Sequence, residues 1–249
     1  MPERRDYRRD PTTAADTPRP RYLQVLVGVF ILPLLVLWRW LFRGANAKAV
    51  FLGFALVTLI GWAWSITLSA QQWWIFPRKW LIGIWLLPNL PLEEMLFYPM
   101  VMLFMIGFYN VIDRARPQTL KSPWSYRLYL YSGTLVFAVL AFLYRDEKPY
   151  YLYSHFIVYN GLAIVLCEAV WRYVNPRAMA LITGFMFLVG LIWDYFAFKY
   201  DWWIYNPIMG IKFWGIPVED VNFYLYAPPA GLSLYLLAVK YTKKQDSKG

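Results

Sequence analysis

Two short stretches of the chain place adjacent carboxylates at the head of a long apolar run. They are Pro91-Leu92-Glu93-Glu94-Met95-Leu96-Phe97-Tyr98 and Pro217-Val218-Glu219-Asp220-Val221-Asn222-Phe223-Tyr224. Proline suits the first turn of a helix, so the acids of both motifs lie at a helix start. Carboxylates beside membrane-spanning segments are rare and mark functional sites. We therefore take Glu93, Glu94, Glu219 and Asp220 as candidate catalytic residues.

These acids can perform proton-transfer chemistry if the two motifs converge. Four carboxylates in a small apolar volume cannot all ionise, so some are expected to be protonated at neutral pH. A protonated acid beside carboxylates supplies both a proton donor and a group that stabilises a cation or accepts a proton. Asp194 follows Trp193 at the end of another apolar run and can join the cluster. Its counterpart in the first half is Ser65, so we expect the two halves to differ chemically.

Aromatic side chains accompany the acids and suit a positively charged intermediate, because aromatic faces attract cations. Phe97 lies four residues after Glu93 and Tyr98 four after Glu94, one helical turn along the same face. The candidate substrate-binding residues are Trp64, Trp73, Trp74, Phe97, Tyr98, Trp193, Trp202, Trp203, Phe223 and Tyr224.

Motifs for other chemistries are missing from the sequence. It contains no GxGxxG, no phosphate-binding loop, no HExxH and no plausible Ser-His-Asp set. A single cysteine, Cys167, excludes an intrachain disulfide and a cysteine metal site. Adjacent acids behind a proline fit the Glu-x-x-His ligands of di-iron bundles poorly. We predict neither a metal nor a cofactor.

The elements that position these residues are apolar runs long enough to cross a membrane. The 249 residues are 59% hydrophobic and 20% aromatic. A membrane-spanning helix takes roughly 20 apolar residues, and the runs lack the alternation of barrel strands. The sequence therefore predicts an integral, multi-pass, all-α membrane protein with about seven transmembrane helices. The seven runs are Tyr22–Trp38, Ala49–Phe76, Met95–Ile112, Leu128–Tyr144, Pro149–Cys167, Ala178–Trp193 and Val221–Val239.

Landmarks in the first half recur in the second at a nearly constant offset. Trp73-Trp74-Ile75-Phe76 matches Trp202-Trp203-Ile204-Tyr205, and Gly83-Ile84 matches Gly210-Ile211. The matched helices are four spans apart and run the same way through the membrane, which makes the repeats parallel and puts both acidic motifs at one face. Between Trp73-Trp74-Ile75-Phe76 and the first acidic motif, the segment Leu81–Leu90 is expected to be re-entrant or to lie on the membrane surface.

The chain accordingly divides as 3 + 1 + 3 spans. We assign 1–21 to a disordered basic tail, 22–116 to the first repeat, 117–148 to a linker with the fourth span, 149–240 to the second repeat and 241–249 to a polar tail. The net charge of +10 sits at segment ends and in the tails. Membrane proteins carry Lys and Arg there, so we expect no nucleic-acid partner.

At the two acidic motifs the chain resembles the integral-membrane lycopene (carotenoid) cyclases, which are made as two small subunits or as one fused chain. The resemblance covers nearly all of residues 22–240 and implies the fused form. It is most specific at Asn89 to Phe97, at Trp193-Asp194 and at Gly215 to Asp220. Two positions depart from the family. Ser65 replaces the Asp of a Trp-Asp pair, and Asn89 stands where an acid often precedes the first motif.

The resemblance implies closure of the linear ends of lycopene into β-ionone rings. A carboxylic acid protonates the terminal double bond, the next double bond attacks the carbocation, and a base removes a proton, with no net redox change. Glu93 or Glu219 is the expected acid, and Glu94 and Asp220 the stabiliser or base. The expected partners are a lipid-soluble carotenoid and membrane lipid of the cell membrane, with homo-oligomers or association with other carotenoid enzymes.

Three alternatives have to be weighed. A cyclase for a longer, C50 carotenoid, or one giving another ring isomer, would carry the same motifs and stays open. A proton-coupled transporter also explains intramembrane acids, but the fourth and fifth spans bring no polar pathway to the middle of the membrane. A retinal-binding receptor needs a lysine within a span, whereas Lys199, Lys212 and Lys240 fall at span ends or in loops.

Overall fold

The protein is mostly helical, as the sequence predicts. The computed structural model describes residues 21–87, 89–115, 124–143, 156–205 and 211–246. The predicted N-terminal tail and the start of the predicted fifth span lie outside these residues. The helices are α1 (Arg21–Leu41), α2 (Ala47–Ala70), α3 (Leu92–Ala115), α4 (Trp124–Leu143), α5 (Leu162–Val170), α6 (Pro176–Lys199) and α7 (Val218–Asp246).

Five of these helices are long and apolar enough to cross a membrane: α1, α2, α3, α6 and, from Tyr126 onwards, α4. The prediction of an all-α membrane protein is confirmed. Helix α7 has the length of a span but is less apolar, because it contains tyrosines, Pro228, Pro229 and Asn222. Most of α7 is buried and packs against α2, α5 and α6. Because protein surrounds most of α7, the free-energy cost of exposing its polar side chains to lipid does not arise.

The first helix of each half contains a π-helical turn. In α1 this turn is Val27–Ile31, and Pro33 follows it. Because a proline ring clashes with the carbonyl four residues earlier, the wider turn relieves the clash at Val29. The second π-helical turn, Phe156–Gly161, leads into α5. The two turns occupy equivalent positions in the repeat.

Helices α2 and α6 begin and end in the same way. Asn46 and Asn175 are their N-caps, and each side-chain oxygen accepts a hydrogen bond from a backbone N–H three residues later. After each helix one residue is left-handed, Gln72 or Asp201. The following tryptophan N–H then bonds back to a carbonyl five residues earlier, which is the Schellman ending. These two endings form the Trp-Trp corners.

The two corners meet in a short antiparallel ladder. Strand β1 (Trp74–Ile75) pairs with β4 (Ile204–Tyr205), and Ile75 lies opposite Ile204. Each of these isoleucines is the other's counterpart in the repeat, so a pseudo-two-fold axis passes through this pair. The ends of α2 and α6 therefore lie at one membrane face. The prediction of parallel repeats is confirmed.

Hairpins deliver the chain into the two acidic helices. Strand β2 (Trp85–Leu87) pairs with β3 (Leu90–Pro91), and β5 (Lys212–Phe213) pairs with β6 (Ile216–Pro217). The N–H groups of Leu92 and Val218, the first residues of α3 and α7, donate to Ile84 and Ile211. The Leu81–Leu90 segment, predicted to be re-entrant or surface-lying, thus contains a hairpin.

Candidate active site

A cavity lies where the two halves meet, and three of the five candidate acids line it. They are Glu94 of α3, Asp194 of α6 and Asp220 of α7. The other walls come from α1, α2, the β1–β4 ladder and the π-helical turn before α5. No lysine or arginine of the described residues lines this cavity. Within the described part of the chain, no group of three or more potential metal ligands is placed to hold an ion.

All five candidate carboxylates are buried, with at most 4% of each residue exposed. Burying an ion costs several kcal/mol unless partners compensate. Four of the five lie in the first turn of a helix, which contributes about 0.3–1 kcal/mol and is too little alone, while Asp194 lies near the end of α6. The hydrogen-bond partners of each acid therefore decide which form it adopts.

Glu94 is held by hydroxyl groups. The Tyr22 hydroxyl donates to Oε2 at 2.7 Å, and Ser65 Oγ donates to Oε1 at 2.8 Å. The Tyr98 hydroxyl lies 2.9 Å from Ser65 Oγ. Either hydroxyl can be the donor in this contact, and the Tyr98 hydroxyl also hydrogen-bonds to Glu94. Ser65, whose counterpart in the second half is Asp194, thus serves as a donor to the acid of its own half.

Asp194 and Asp220 occupy the other side of the cavity and interact electrostatically with each other. The Tyr224 hydroxyl hydrogen-bonds to Asp194, and the Tyr205 hydroxyl to Asp220. Asp220 Oδ2 has no hydrogen-bond partner among the described residues. The Asp194–Asp220 pair, which forms the second pole of the cavity, thus has one hydroxyl partner for each carboxyl group, whereas Glu94, the first pole, has three.

Glu93 and Glu219 do not line the cavity. Glu93 Oε1 accepts a hydrogen bond from the backbone N–H of Ile82 at 2.7 Å, which ties the loop before β2 to the start of α3. Neighbouring residues on a helix point about 100° apart, so one acid of each motif faces the cavity while the other faces elsewhere. The role of Glu93 or Glu219 as the acid stays a prediction.

Most of the predicted substrate-binding residues reach the cavity. Trp73 and Trp202 do not line it, and Trp202 packs on Tyr200 instead. Further lining residues were missed by the sequence analysis, namely Tyr22, Leu68, Tyr159 and Tyr205. Those found in the wall are Trp64, Trp74, Phe97, Tyr98, Trp193, Trp203, Phe223 and Tyr224.

The aromatic rings form a continuous wall around the acids. The ring of Trp193 has its centroid 5.7 Å from that of Tyr22, 5.9 Å from Phe97 and 6.2 Å from Trp203. Elsewhere in the wall, the ring centroid of Tyr159 lies 5.7 Å from that of Trp64. Such a wall suits an apolar, unsaturated molecule that acquires positive charge.

Two glycines let the motif tyrosines pack closely on the preceding helix. A Cβ atom added to Gly61 of α2 would overlap the ring of Tyr98, and one added to Gly190 of α6 would overlap the ring of Tyr224. The contact is the same in both halves. It places each tyrosine hydroxyl beside residue 65 or residue 194, which lies one helical turn after its glycine.

Comparisons with known proteins agree with this two-part site. No curated protein and no solved structure matches the chain. The family model described as lycopene cyclase matches residues 20–112 and 148–238. These two segments are the halves that the pseudo-two-fold axis relates, and each supplies one acidic helix. The chain therefore belongs to the lycopene cyclase family, whose reaction is the cyclisation of a carotenoid.

Proposed function

We propose that the protein closes β-ionone rings at the ends of lycopene in the cell membrane, by acid catalysis through a carbocation. The observation that carries this proposal is the placement of Glu94, Asp194 and Asp220 around one aromatic cavity without a lysine or arginine in its described wall. Such a wall suits a hydrocarbon substrate, because its charged groups are carboxyl groups and most of its surface is aromatic.

Asp194 and Asp220 form the proton donor. Two neighbouring carboxylates away from water repel each other, so the pair is expected to hold one proton between them. The free Oδ2 of Asp220 is the best-placed atom to present that proton to a substrate, because no protein group competes for it. Asp194 then accepts a hydrogen bond from Tyr224 and positions its partner.

Glu94 is the carboxylate that faces the developing cation. Hydrogen bonds to a charged group contribute about 1.5–3 kcal/mol each, so the hydroxyl groups of Tyr22, Ser65 and Tyr98 offset part of a burial cost of several kcal/mol. The aromatic rings add to this stabilisation, at about 0.5–2 kcal/mol for each favourable cation–π contact. The rings of Trp193 and Phe97, whose centroids lie 5.9 Å apart, belong to this part of the wall.

The proposed reaction balances without a redox partner. Asp220 transfers its proton to the terminal double bond, which leaves a tertiary carbocation. The next double bond attacks this cation, and the new carbon–carbon bond closes a six-membered ring. Glu94 removes a proton from the ring cation and restores a double bond. The product is an isomer of the substrate.

Glu93 and Glu219, which the resemblance offered as the acid, receive a different role in this proposal. Glu93 joins the start of α3 to the loop before β2. Glu219 has the same place in the second half and is equally buried. Their role is to hold the acidic helices in register with the loops.

The function is tested by expressing the chain in cells that accumulate lycopene and analysing the pigments by chromatography and mass. We expect β-carotene, and we expect Asp220→Asn to make none while still reaching the membrane. Asp201→Asn is the matched control, because Asp201 is exposed at the corner after α6. Unchanged lycopene with wild-type protein in the membrane would refute the proposal. A ring with its double bond elsewhere, or activity only on C50 carotenoids, would support the alternative cyclases.

A further inference from the structure

After every ring closure in the proposed reaction, the proton is on Glu94 and not on the aspartate pair that must donate it. The aspartate pair gives one proton to the substrate, and Glu94 takes another from it. At the end of a cycle Glu94 is therefore protonated and the pair lacks its proton. None of the three residues is more than 4% exposed, so bulk water has poor access to them. A second closure needs a route that returns the proton.

A chain of hydroxyl groups leads away from Glu94. Its first member is Ser65, whose Oγ donates to Glu94 Oε1 at 2.8 Å. Its second member is Tyr98, whose hydroxyl is 2.9 Å from Ser65 Oγ. The Tyr98 hydroxyl in turn hydrogen-bonds to the hydroxyl of Tyr159.

Tyr159 extends this chain towards the other pole. Tyr159 and both aspartates line the same cavity, and Tyr159 interacts electrostatically with Glu94 and Asp220. The last transfer, from the Tyr159 hydroxyl to the open Oδ2 of Asp220, therefore takes place across this cavity. Tyr159 comes from the π-helical turn before α5, which aims this side chain into the cavity. Its counterpart in the first half is Phe30, which carries no hydroxyl and packs on Trp193. The hydroxyl chain therefore combines Ser65 and Tyr98 of the first half with Tyr159 of the second, and it has no symmetric copy.

We propose that the hydroxyl groups of Ser65, Tyr98 and Tyr159 return the proton from Glu94 to the Asp194–Asp220 pair. The inference rests on the proposed function. Each hydroxyl accepts one proton and gives up another, so the three residues are unchanged after the transfer. Glu94 loses its proton and the aspartate pair gains one. The proton taken from one substrate end is then reused to start the next ring closure.

Reuse of the substrate's proton has an isotopic signature in heavy water. The full chain is reconstituted in phospholipid vesicles, equilibrated in D₂O and mixed with vesicles that contain lycopene. The deuterium content of the cyclised product is measured by mass spectrometry over many turnovers. We expect well below one deuteron per ring, because protons from the substrate replace the deuterons that the enzyme held at the start.

Breaking the chain should force exchange with solvent. In Tyr98→Phe the ring that packs on Gly61 is kept and only the hydroxyl is lost, and Ser65→Ala breaks the next link. We expect both variants to turn over about tenfold more slowly or worse and to incorporate close to one deuteron per ring. Tyr235→Phe is the matched control. It removes a buried hydroxyl of α7 that bonds Asn110, away from the cavity, and should keep the wild-type rate and isotope content.

Each outcome bears on the proposal. One deuteron per ring from the wild-type protein over many turnovers would overturn the return route while leaving the cyclase activity intact. A wild-type rate with low deuterium content in both Tyr98→Phe and Ser65→Ala would show that these hydroxyls are not the route. A slow variant whose product stays deuterium-poor would indicate that the hydroxyl only positions Glu94, which also overturns the proposal. Absence of any cyclised product would instead refute the proposed function.

Discussion

Two adjacent acids of one motif can have different roles, because the side chains of neighbouring residues on a helix point about 100° apart. Glu93 and Glu94 begin the same helix, but Glu94 faces the cavity while Glu93 bonds to the loop at Ile82. The surroundings match these tasks. Hydroxyl donors from α1 and α2 reach Glu94, whereas the partner of Glu93 is a backbone N–H that needs only an acceptor.

Substitution by glutamine separates the two roles. Glu94→Gln removes the carboxylate that we propose as the proton acceptor, and we expect the cyclisation rate to fall by about 10²–10⁴-fold. Glu93→Gln keeps an oxygen that can accept from Ile82, so its rate should stay within a few-fold of wild type. Both are measured as product formed per membrane-inserted protein. If Glu93→Gln is inactive and Glu94→Gln is active, the two assignments are reversed.

The motifs predicted the three acids that line the cavity, whereas the residues that contact these acids from distant helices could not be predicted from the sequence. Glu94, Asp194 and Asp220 were all among the candidates, since carboxylates in apolar surroundings stand out. Tyr22 was missed because it lies in a first span without a recognised landmark. Tyr205 was within an aligned motif and could have been chosen. Trp73 and Trp74 are both predicted to bind substrate, but only Trp74 lines the cavity. The side chains of successive residues in an extended segment point to opposite sides, so the two cannot both face it.

At the scale of elements, the positions of the long helices could be predicted from the amino-acid composition of the chain, whereas the structure of the connections could not. Apolar runs predicted α1 to α4 and α6 within a few residues, because a span needs a minimum length. The strands contain two or three residues each, which is too short for a period-two pattern. They depend on pairing between distant segments, such as Ile75 with Ile204.

Close packing of α6 on α7 is testable with paired glycine substitutions. Gly190→Ala should displace the Tyr224 ring and with it the hydroxyl that bonds Asp194, so we expect lower activity and a lower unfolding temperature. Gly184→Ala, in the same helix with open space around its Cβ, should keep full activity. Alanine favours a helix over glycine by about 1 kcal/mol, so this control should unfold no earlier than wild type. Equal behaviour of the two variants would contradict the packing argument.

The whole molecule is a pseudo-symmetric pair with one asymmetric site. The axis through Ile75 and Ile204 relates two corners, two hairpins and two glycine–tyrosine contacts. The two halves differ next to the cavity, where Ser65 corresponds to Asp194 and Phe30 corresponds to Tyr159 in the repeat. One half thus presents a carboxylate surrounded by hydroxyls and the other a pair of aspartates. A donor and an acceptor need such a difference, because two identical poles would not distinguish them.

Because the two halves contribute different groups to one site, we expect that neither half alone catalyses the cyclisation. The cavity wall takes Glu94 from the first half and Asp194 and Asp220 from the second, and the ladder between β1 and β4 joins them. Cutting the chain between residues 116 and 123 leaves α1–α3 and α4–α7 as separate polypeptides. In cells that accumulate lycopene, we expect no cyclised pigment from either piece alone and cyclised pigment when both are expressed together.

The split experiment has an internal control in Asp220→Asn placed on the second piece. Helix contacts between the halves, chiefly α2 with α7 and α3 with α6, should bring the pieces together whether or not the acid is present. Co-purification with a tag on one piece should therefore survive Asp220→Asn while pigment formation is lost. Pigment from a single piece would contradict the shared cavity. Pieces that co-purify without forming pigment would show that the intervening segment does more than connect the halves.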